Sequence, residues 1–192
     1  MIQPSIILSS KSPRRKFLLE QANIRFEIAS FEVEENVPDH IEISKAPEYL
    51  SLKKAKYALS QLDTEKIILS ADTSVFLHQE ILNKPADKVE ATHMIRKLSG
   101  KEHTVITGVT LINQSKIVSF SVTSEVTLDT LSEAEIEYYI DTYQPYDKAG
   151  SYGIQDWIGW VKINSIRGSY SNILGLPMRE VYRELKAFIA IQ

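Results

Sequence analysis

Hydrophobic and polar positions follow two periods that alternate along the chain. Apolar residues spaced three and four apart indicate amphipathic helices, whereas short runs rich in Val, Ile and Thr indicate strands. The predicted helices begin at Pro13 and Pro177 and also cover residues 45–62, 87–98 and 132–143. The predicted strands cover residues 5–8, 24–28, 67–69, 103–111 and 116–128, and residues 75–82 are a predicted hairpin that turns at His78 and Gln79. Because strands and helices mix throughout, the pattern predicts an α/β or α+β class.

Local signals mark where several of these elements begin. Ser12 precedes Pro13 and is a predicted N-cap, since proline is favoured at the first helical position. Ser132 and Glu135 have the spacing of a capping box. Residues 144–172 carry fewer periodic signals, and we expect loops with short strands there.

Composition narrows the class of protein. The 192 residues are 43% hydrophobic and 24% charged, which suits a single domain over residues 1–192. The net charge of -3 argues against a general nucleic-acid coat protein, so any anion site must be a local cluster. The absence of cysteine excludes disulfides and thiol nucleophiles. Without a signal-peptide pattern or a long apolar run, we expect a cytoplasmic protein that does not enter membranes.

The heptapeptide SSKSPRR, residues 9–15, is the first candidate site. A helix N-terminus presents free N–H groups and a partial positive charge, and it binds phosphate readily. Arg14 and Arg15 fall in the first helical turn, which is unfavourable for cations unless an anion is bound, and their planar forks match phosphate oxygens. Ser10 adds a hydroxyl donor. The alternative is a capped surface helix with two solvated arginines, and this segment alone does not decide between the two.

Charged residues elsewhere form the second set of candidates. Asp72 follows an apolar strand, where open α/β sheets carry their ligands, and it could bind a divalent cation or take a proton from water. The alternative is a carboxylate that only ends a strand in a turn. Lys54 and Lys84 could meet a phosphate as point charges, and Glu35 could supply a second metal carboxylate. Exposed lysines and acidic loops are, however, usually only solvated.

Two glycine-containing segments, residues 148–155 and 168–177, could approach a ligand closely, and their Gln155 and Asn172 could hydrogen-bond a base edge. The alternative is a pair of loops at corners of the fold. A P-loop, a nucleophile elbow and an HExxH motif are absent. The four histidines show no metal-ligand spacing.

The motifs occur in one succession between Ile6 and Met178: SSKSPRRKFLL, LKKAK, SADTSV, NKPAD, VITGVTL, DKAGSYGIQ and IRGSYSNILGLPM. This succession resembles the Maf family of nucleoside triphosphate pyrophosphatases. The resemblance implies an elongated α/β fold with a mixed sheet and two lobes around a central cleft, similar to the inosine triphosphate pyrophosphatases. It also implies hydrolysis between the α and β phosphates of a nucleoside triphosphate with a divalent cation, Mg²⁺ or Mn²⁺, and it suggests a homodimer.

The same resemblance implies roles for individual residues. Asp72 matches the family's catalytic acid/base aspartate, and Asp72 and Glu35 are the expected metal carboxylates. The positions that match residues for substrate choice are Arg14, Thr73 and Gln155. The further matches to active-site positions are Ser10, Arg15, Lys54 and Lys84.

Within the family, DKAGSYGIQ and GSYSNILGLP resemble the branch that acts on dTTP and UTP, and we expect modified pyrimidine nucleotides as further substrates. One departure is local, because Gln155 is followed by Asp156 where the family commonly has glycine, which leaves the base preference open. The alternatives are a 7-methyl-GTP pyrophosphatase of the same family, a non-enzymatic regulator of septation, and a nucleic-acid binder. The acidic net charge and the lack of a basic stripe argue against the last of these.

Overall fold

The computed structural model describes residues 6–189 and shows a mixed α/β fold. Its strands are β1 (Ile6–Leu8), β2 (Phe26–Ile28), β3 (Ile67–Leu77), β4 (Glu80–Leu82), β5 (Glu102–Ile112), β6 (Ile117–Leu128) and β7 (Ile163–Arg167). Its helices are α1 (Pro13–Gln21), α2 (Ala46–Gln61), α3 (Lys88–Leu98), α4 (Glu133–Tyr143), α5 (Trp157–Val161), α6 (Tyr170–Leu174) and α7 (Met178–Ile189). Within the described residues, these helices are too short or too polar to cross a membrane.

The described strands form one mixed sheet in the order β2-β1-β3-β5-β6-β7, with β4 paired to β3. Strand β1 is parallel to both β2 and β3, whereas β4 and β7 run antiparallel to their partners β3 and β6. Parallel pairing next to a helical connection, such as α1 or α2, is the βαβ arrangement that the alternation of elements indicated. The predicted α/β class with a mixed sheet is therefore confirmed.

The chain divides into two compact units. The first contains the described residues up to Asp72, residues 107–122 and the described residues from Gly175 onward. The second contains residues 73–106 and 123–174. Strands β3, β5 and β6 each contribute residues to both units. The expected single domain over residues 1–192 and the expected cleft stay predictions.

In the first unit, α2 lies unusually close to the strands. Ala55 and Ala58 are completely buried against strand residues Ile7, Ile68 and Ile112, and their small side chains let the helix approach the sheet. Leu59 and Leu62 are only partly buried and lie at the margin of this cluster. The buried face of α2 therefore consists mainly of small side chains, with Leu50 as its one buried leucine.

Gly108 on β5 marks the closest approach of α2 to the sheet. A Cβ atom at this position would lie 2.3 Å from backbone atoms of Pro47 and Glu48, in the first turn of α2. Two hydroxyl contacts also join α2 to the sheet. Ser51 Oγ lies 2.9 Å from Thr110 Oγ1 of β5, and Ser121 Oγ of β6 donates to Glu48 Oε2 at 2.7 Å. Helix α2 is consequently held in a defined position on β5 and β6.

In the second unit, α3 and α4 pack on the strands through one apolar cluster. Its fully buried members include Ala91, Ile95, Leu98, Val126, Ile136, Tyr139 and Ile140. His103 is also buried, and its Nε2 lies 2.7 Å from the hydroxyl of Tyr152. Burial lowers the pKa of His103 to about 4, so this imidazole is a neutral part of the core at physiological pH.

Most predicted boundaries agree with the structure where local signals are strong. The capping box of Ser132 and Glu135 is present, and β5 and β6 begin and end within one residue of their predicted limits. The short helices α5 and α6 were missed, since segment 144–172 was predicted to contain only loops and strands. The predicted first strand began at Ser5, which lies outside the described residues.

Candidate functional site

The turn from β1 into α1 is organised by Ser10. Its Oγ accepts hydrogen bonds from the Ser12 N–H at 3.2 Å and from Arg15 Nη1 at 3.1 Å. Ser12 occupies the N-cap position before Pro13, as predicted, but its side chain makes no capping hydrogen bond. The hydroxyl that orders this turn is therefore that of Ser10 rather than that of the N-cap residue.

Arg15 connects this turn to the segment before α7. Its Nε donates to the carbonyl oxygen of Gly175 at 2.8 Å, in addition to the bond with Ser10. Burial lowers the pKa of the Arg15 guanidinium, and the nearby carboxylates of Asp72 and Glu35 oppose that shift. Burial outweighs these carboxylates, so the protein itself offsets the unfavourable position of Arg15 only in part. That a bound anion completes the balance stays a prediction.

Lys54 on α2 brings two carboxylates to one point. Its Nζ lies 2.5 Å from Asp72 Oδ1 and 2.6 Å from Glu35 Oε1. The side chains of Lys54 and Asp72 are only 18% and 13% exposed, so water screens this pair weakly. Three residues that lie far apart in sequence, all in the first unit, thus form one charged cluster, with Arg15 close enough to feel its field.

Asp72 does not end a strand, which corrects the sequence prediction. Strand β3 continues through it to Leu77, because Val75, Phe76 and Leu77 extend the apolar run and pair with β4. The pairing of β3 with β1 covers Ile67 to Leu69, so Asp72 lies on β3 between these two paired stretches. Its backbone is held by a long strand, and this gives its carboxylate a firmer position than a turn would.

The charged cluster limits which metal arrangement is feasible. The described residues contain no group of three or more histidine, aspartate or glutamate side chains that could hold a metal ion. Glu35 and Asp72 nevertheless direct one oxygen each toward a single cationic group. A pair of carboxylates of this kind suits Mg²⁺, which commonly takes one or two carboxylates and completes its shell with water and phosphate oxygens.

The other candidate residues occupy several places. Arg14 is half-buried on α1 in the first unit. Thr73, Lys84 and Gln155 belong to the second unit, where Thr73 is half-buried on β3 and Lys84 is exposed after β4. The candidate residues that the structure does bring together, all in the first unit, are Ser10, Arg15, Glu35, Lys54 and Asp72.

Gln155 lies in a hydrogen-bonded network at the start of α5. Its Nε2 donates to Asp156 Oδ1 at 3.0 Å, and Asp156 Oδ2 accepts from the Tyr139 hydroxyl at 2.9 Å. The indole N–H of Trp160 donates to the backbone carbonyl of Gln155 at 3.0 Å. Sequence reasoning noted Asp156 only as a departure and missed Tyr139, because nothing in the pattern of α4 relates a buried tyrosine to a loop 17 positions away.

Comparison with known proteins places these features in a family. A family model described as Maf-like protein matches residues 5–188. A protein of Phocaeicola vulgatus named dTTP/UTP pyrophosphatase is 45% identical over 182 residues, 94% of each chain. A protein of Cytophaga hutchinsonii with the same name is 46% identical over 181 residues, covering 94% of this chain and 83% of that one.

Among solved structures, the Ham1 protein of Staphylococcus aureus aligns with a TM-score of 0.46 and 13% identity, over 65% of this chain and 71% of that one. We draw nothing from a match with so low a TM-score, and the α/β fold class is based on the observed pairing of the strands. The sequence matches are far stronger and extend over nearly the whole chain. This protein belongs to the Maf-like protein family.

Proposed function

We propose that this protein hydrolyses the bond between the α and β phosphates of UTP and dTTP, and of modified pyrimidine nucleoside triphosphates, to the monophosphate and pyrophosphate. The observation that carries the proposal is the cluster in which Lys54 joins Asp72 and Glu35 beside Arg15. Related proteins that are 45% and 46% identical and are named dTTP/UTP pyrophosphatase support the choice of substrate.

Asp72 is the proposed general base. Its carboxylate takes a proton from the attacking water, whose oxygen bonds to the α-phosphorus as the bond to the bridging oxygen breaks. Oδ1 of Asp72 accepts a hydrogen bond from Lys54, and a carboxylate has a second oxygen with which to accept the proton. A base that is held on a long strand and hydrogen-bonded by a neighbour keeps its orientation, as general base catalysis requires.

Cationic side chains stabilise the charge of the substrate and of the leaving pyrophosphate. Phosphoryl cleavage depends mainly on positioning and electrostatic stabilisation. In the first unit, Arg14 and Arg15 are the proposed phosphate ligands, and Ser10 supports Arg15 through its hydroxyl. As the family resemblance implies, Thr73 and Gln155 are proposed to determine substrate choice, and Lys84 is a further proposed active-site residue.

A divalent cation, Mg²⁺ or Mn²⁺, is the proposed cofactor, with Glu35 and Asp72 as its protein ligands. Both carboxylates already approach one cation, the ammonium of Lys54, at 2.6 and 2.5 Å, so their oxygens have the chemistry and the proximity that the role needs. When bound, such an ion neutralises phosphate charge and polarises the phosphorus–oxygen bonds. A homodimer and a cytoplasmic location stay predictions.

An activity panel tests the proposal. The protein is incubated with UTP, dTTP, CTP, dATP and 7-methyl-GTP in Mg²⁺ or Mn²⁺, and orthophosphate and pyrophosphate are measured separately. We expect UTP and dTTP to be the best substrates and pyrophosphate to be the first product. Orthophosphate as the first product would overturn the assigned bond, and faster turnover of 7-methyl-GTP would overturn the assigned substrate.

A further inference from the structure

Lys54 already places one cation between the two carboxylates that are the proposed metal ligands. Its Nζ lies 2.5 Å from Asp72 Oδ1 and 2.6 Å from Glu35 Oε1. Magnesium and manganese ions also bind carboxylate oxygens. A divalent cation that binds these two oxygen atoms therefore competes for them with the ammonium group of Lys54.

The charges of this cluster balance one another within the protein. The carboxylates of Asp72 and Glu35 face the cationic groups of Lys54 and Arg15, and the charge of Arg14 also reaches Arg15. The side chains of Lys54 and Asp72 are only 18% and 13% exposed, so water screens charges weakly here. A further cation at this point would be strongly repelled as long as the ammonium group stays in place.

The ammonium group of Lys54 is better able to move away than the guanidinium of Arg15. Arg15 is held by the carbonyl oxygen of Gly175 and by the hydroxyl of Ser10. Lys54 carries its charge at the end of a flexible four-carbon chain. Its partner Glu35 is 53% exposed, so one side of the cluster is open to water. Lys54 can therefore release the two carboxylates without breaking the bonds of Arg15.

The helix that carries Lys54 stays in place during such a movement. Gly108 lets α2 pack directly on β5, and Ser51 Oγ of α2 lies 2.9 Å from Thr110 Oγ1 of that strand. Release of the carboxylates is consequently a rotation of one side chain and not a shift of α2.

We infer that Lys54 is a displaceable counter-ion of the proposed metal site, which releases Asp72 and Glu35 when a divalent cation binds to them. The inference rests on the proposed function, from which it takes the two metal ligands. Asp72 Oδ1 keeps a cationic partner before and after the exchange, and the second oxygen of the carboxylate serves as the proposed base. The released ammonium group can meet a phosphate of the substrate, which is the role that the sequence suggested for Lys54.

A counter-ion built into the protein weakens the binding of a metal ion that comes alone. The metal ion has to replace an attraction that is already present, so its affinity reflects only the difference between the two attractions. Removal of the Lys54 charge should therefore raise the affinity for a divalent cation by about tenfold or more. A lysine that only holds the two carboxylates in position would have the opposite effect, because its removal would lower that affinity.

The experiment measures the binding of Mn²⁺ to the full-length protein, without nucleotide, by electron paramagnetic resonance of the free ion. We expect Lys54→Met to bind Mn²⁺ about tenfold more tightly than the wild type, or tighter still. Lys54→Arg keeps a cation at this position and should gain no affinity. The matched control is Lys53→Met, which removes a neighbouring charge whose Nζ lies 3.5 Å from the carbonyl oxygen of Asn36. Its affinity should stay within about twofold of the wild-type value.

Asp72→Asn, added to Lys54→Met, determines where the ion binds. The double variant lacks one of the two proposed ligands, so the gain in Mn²⁺ affinity should disappear. A gain that survives in the double variant would show that the ion binds elsewhere, and it would overturn the inference.

Thermal unfolding provides a second measurement and checks that each variant is folded. Lys54→Met leaves two carboxylates without their shared cation, so it should unfold at a lower temperature than the wild type. The same concentration of Mg²⁺ should raise its melting temperature by about 3 °C more than that of the wild type. If Lys54→Met does not fold, Lys54→Gln, which is neutral but can still donate a hydrogen bond, carries both measurements.

The possible outcomes separate this inference from the proposed function. Equal or weaker Mn²⁺ binding in Lys54→Met would overturn the inference, and the proposed function would stand if the wild type hydrolyses UTP. A gain in Lys54→Arg as large as that in Lys54→Met would show that the charge is not the cause, and it would also overturn the inference. A wild type that hydrolyses no triphosphate would overturn the proposed function, whereas the comparison of Mn²⁺ affinities would still decide the role of Lys54.

Discussion

Lys54 Nζ lies 2.5 Å from Asp72 Oδ1, and the same ammonium group lies 2.6 Å from Glu35 Oε1. One lysine on α2 therefore holds together a carboxylate from β3 and a carboxylate from the loop before α2. The close packing of α2 on the sheet at Gly108 determines where that lysine lies. The hydrogen bond from Lys54 to the proposed general base thus depends on how α2 packs on β5.

Replacing Asp72 with asparagine should remove turnover and leave the fold. The change keeps the shape of the side chain but removes the proposed base, and we expect a loss of about 100- to 1000-fold in kcat for UTP. The free energy of unfolding should fall by only about 1 kcal/mol, because Lys54 can still donate to the amide oxygen. Glu48→Gln, which also neutralises a carboxylate in the first unit, is the matched control and should retain activity. Full activity in Asp72→Asn would contradict the mechanism.

Arg15→Ala should reduce both turnover and stability. The guanidinium bonds Gly175 and Ser10 within the protein, so its removal affects the fold as well as the proposed phosphate site. We expect a loss of about 2 kcal/mol in the free energy of unfolding and about 100-fold in kcat. Steady-state kinetics and urea unfolding measure the two effects. Lys16→Ala removes an exposed cation from the same helix and should change neither, and an Arg15→Ala variant with wild-type kcat would refute a phosphate-binding role.

Gly108→Ala should displace α2. The added methyl group would overlap backbone atoms of Pro47 and Glu48 at 2.3 Å, and overpacking of this kind costs about 1 to 3 kcal/mol. Turnover should fall as well, because α2 carries Lys54. Thermal unfolding and kcat for UTP are measured beside Thr104→Ala, a change to alanine at a half-buried position of the same strand. An unchanged midpoint and unchanged kcat would show that α2 adapts without affecting the cluster.

Stability should decrease in mild acid because of His103. Its pKa is lowered from 6.5 to about 4 by burial, so between these values the unfolded chain binds a proton that the folded protein does not. The free energy of unfolding is therefore highest above pH 6.5 and falls by up to about 3 kcal/mol as the pH drops toward 4.

The variant His103→Gln isolates this contribution, since glutamine has no proton to gain in that range while the carboxylates titrate in both proteins. Urea unfolding at pH 7.5 and pH 4.5 should show a smaller loss of stability in His103→Gln than in the wild type. Equal losses in the two proteins would exclude His103 as the cause.

The sequence predicted well those parts of the fold that depend on local signals. The capping box at Ser132 and the alternating β-branched residues of β5 and β6 act within a few residues, and the structure agrees with both. Strand β3 was predicted too short, because the polar stretch from Ser70 to Thr73 resembles a turn. The predicted hairpin over residues 75–82 is confirmed by the pairing of β3 with β4, but the sequence did not show that residues 67–69 and the first strand of the hairpin form one continuous strand.

The candidate site was predictable as a set of residues but not as an arrangement. Motif order indicated Ser10, Arg15 and Asp72. The bonds that position such residues can join distant parts of the chain, as between Arg15 and Gly175, which are 160 positions apart. The buried alanines of α2 and the bond from Tyr139 to Asp156 are likewise tertiary features. A departure from the family pattern was visible at Asp156, but its use became clear only from the atoms that it contacts.

Hydrolysis of UTP in oxygen-18-labelled water distinguishes attack of water on the α-phosphorus, which we propose, from attack on the β-phosphorus. Mass spectrometry of the products of a single turnover reports which product carries the solvent oxygen. We predict that the label appears in UMP and that pyrophosphate is unlabelled. Label in pyrophosphate, with unlabelled UMP, would show attack on the β-phosphorus and contradict the proposed role of Asp72.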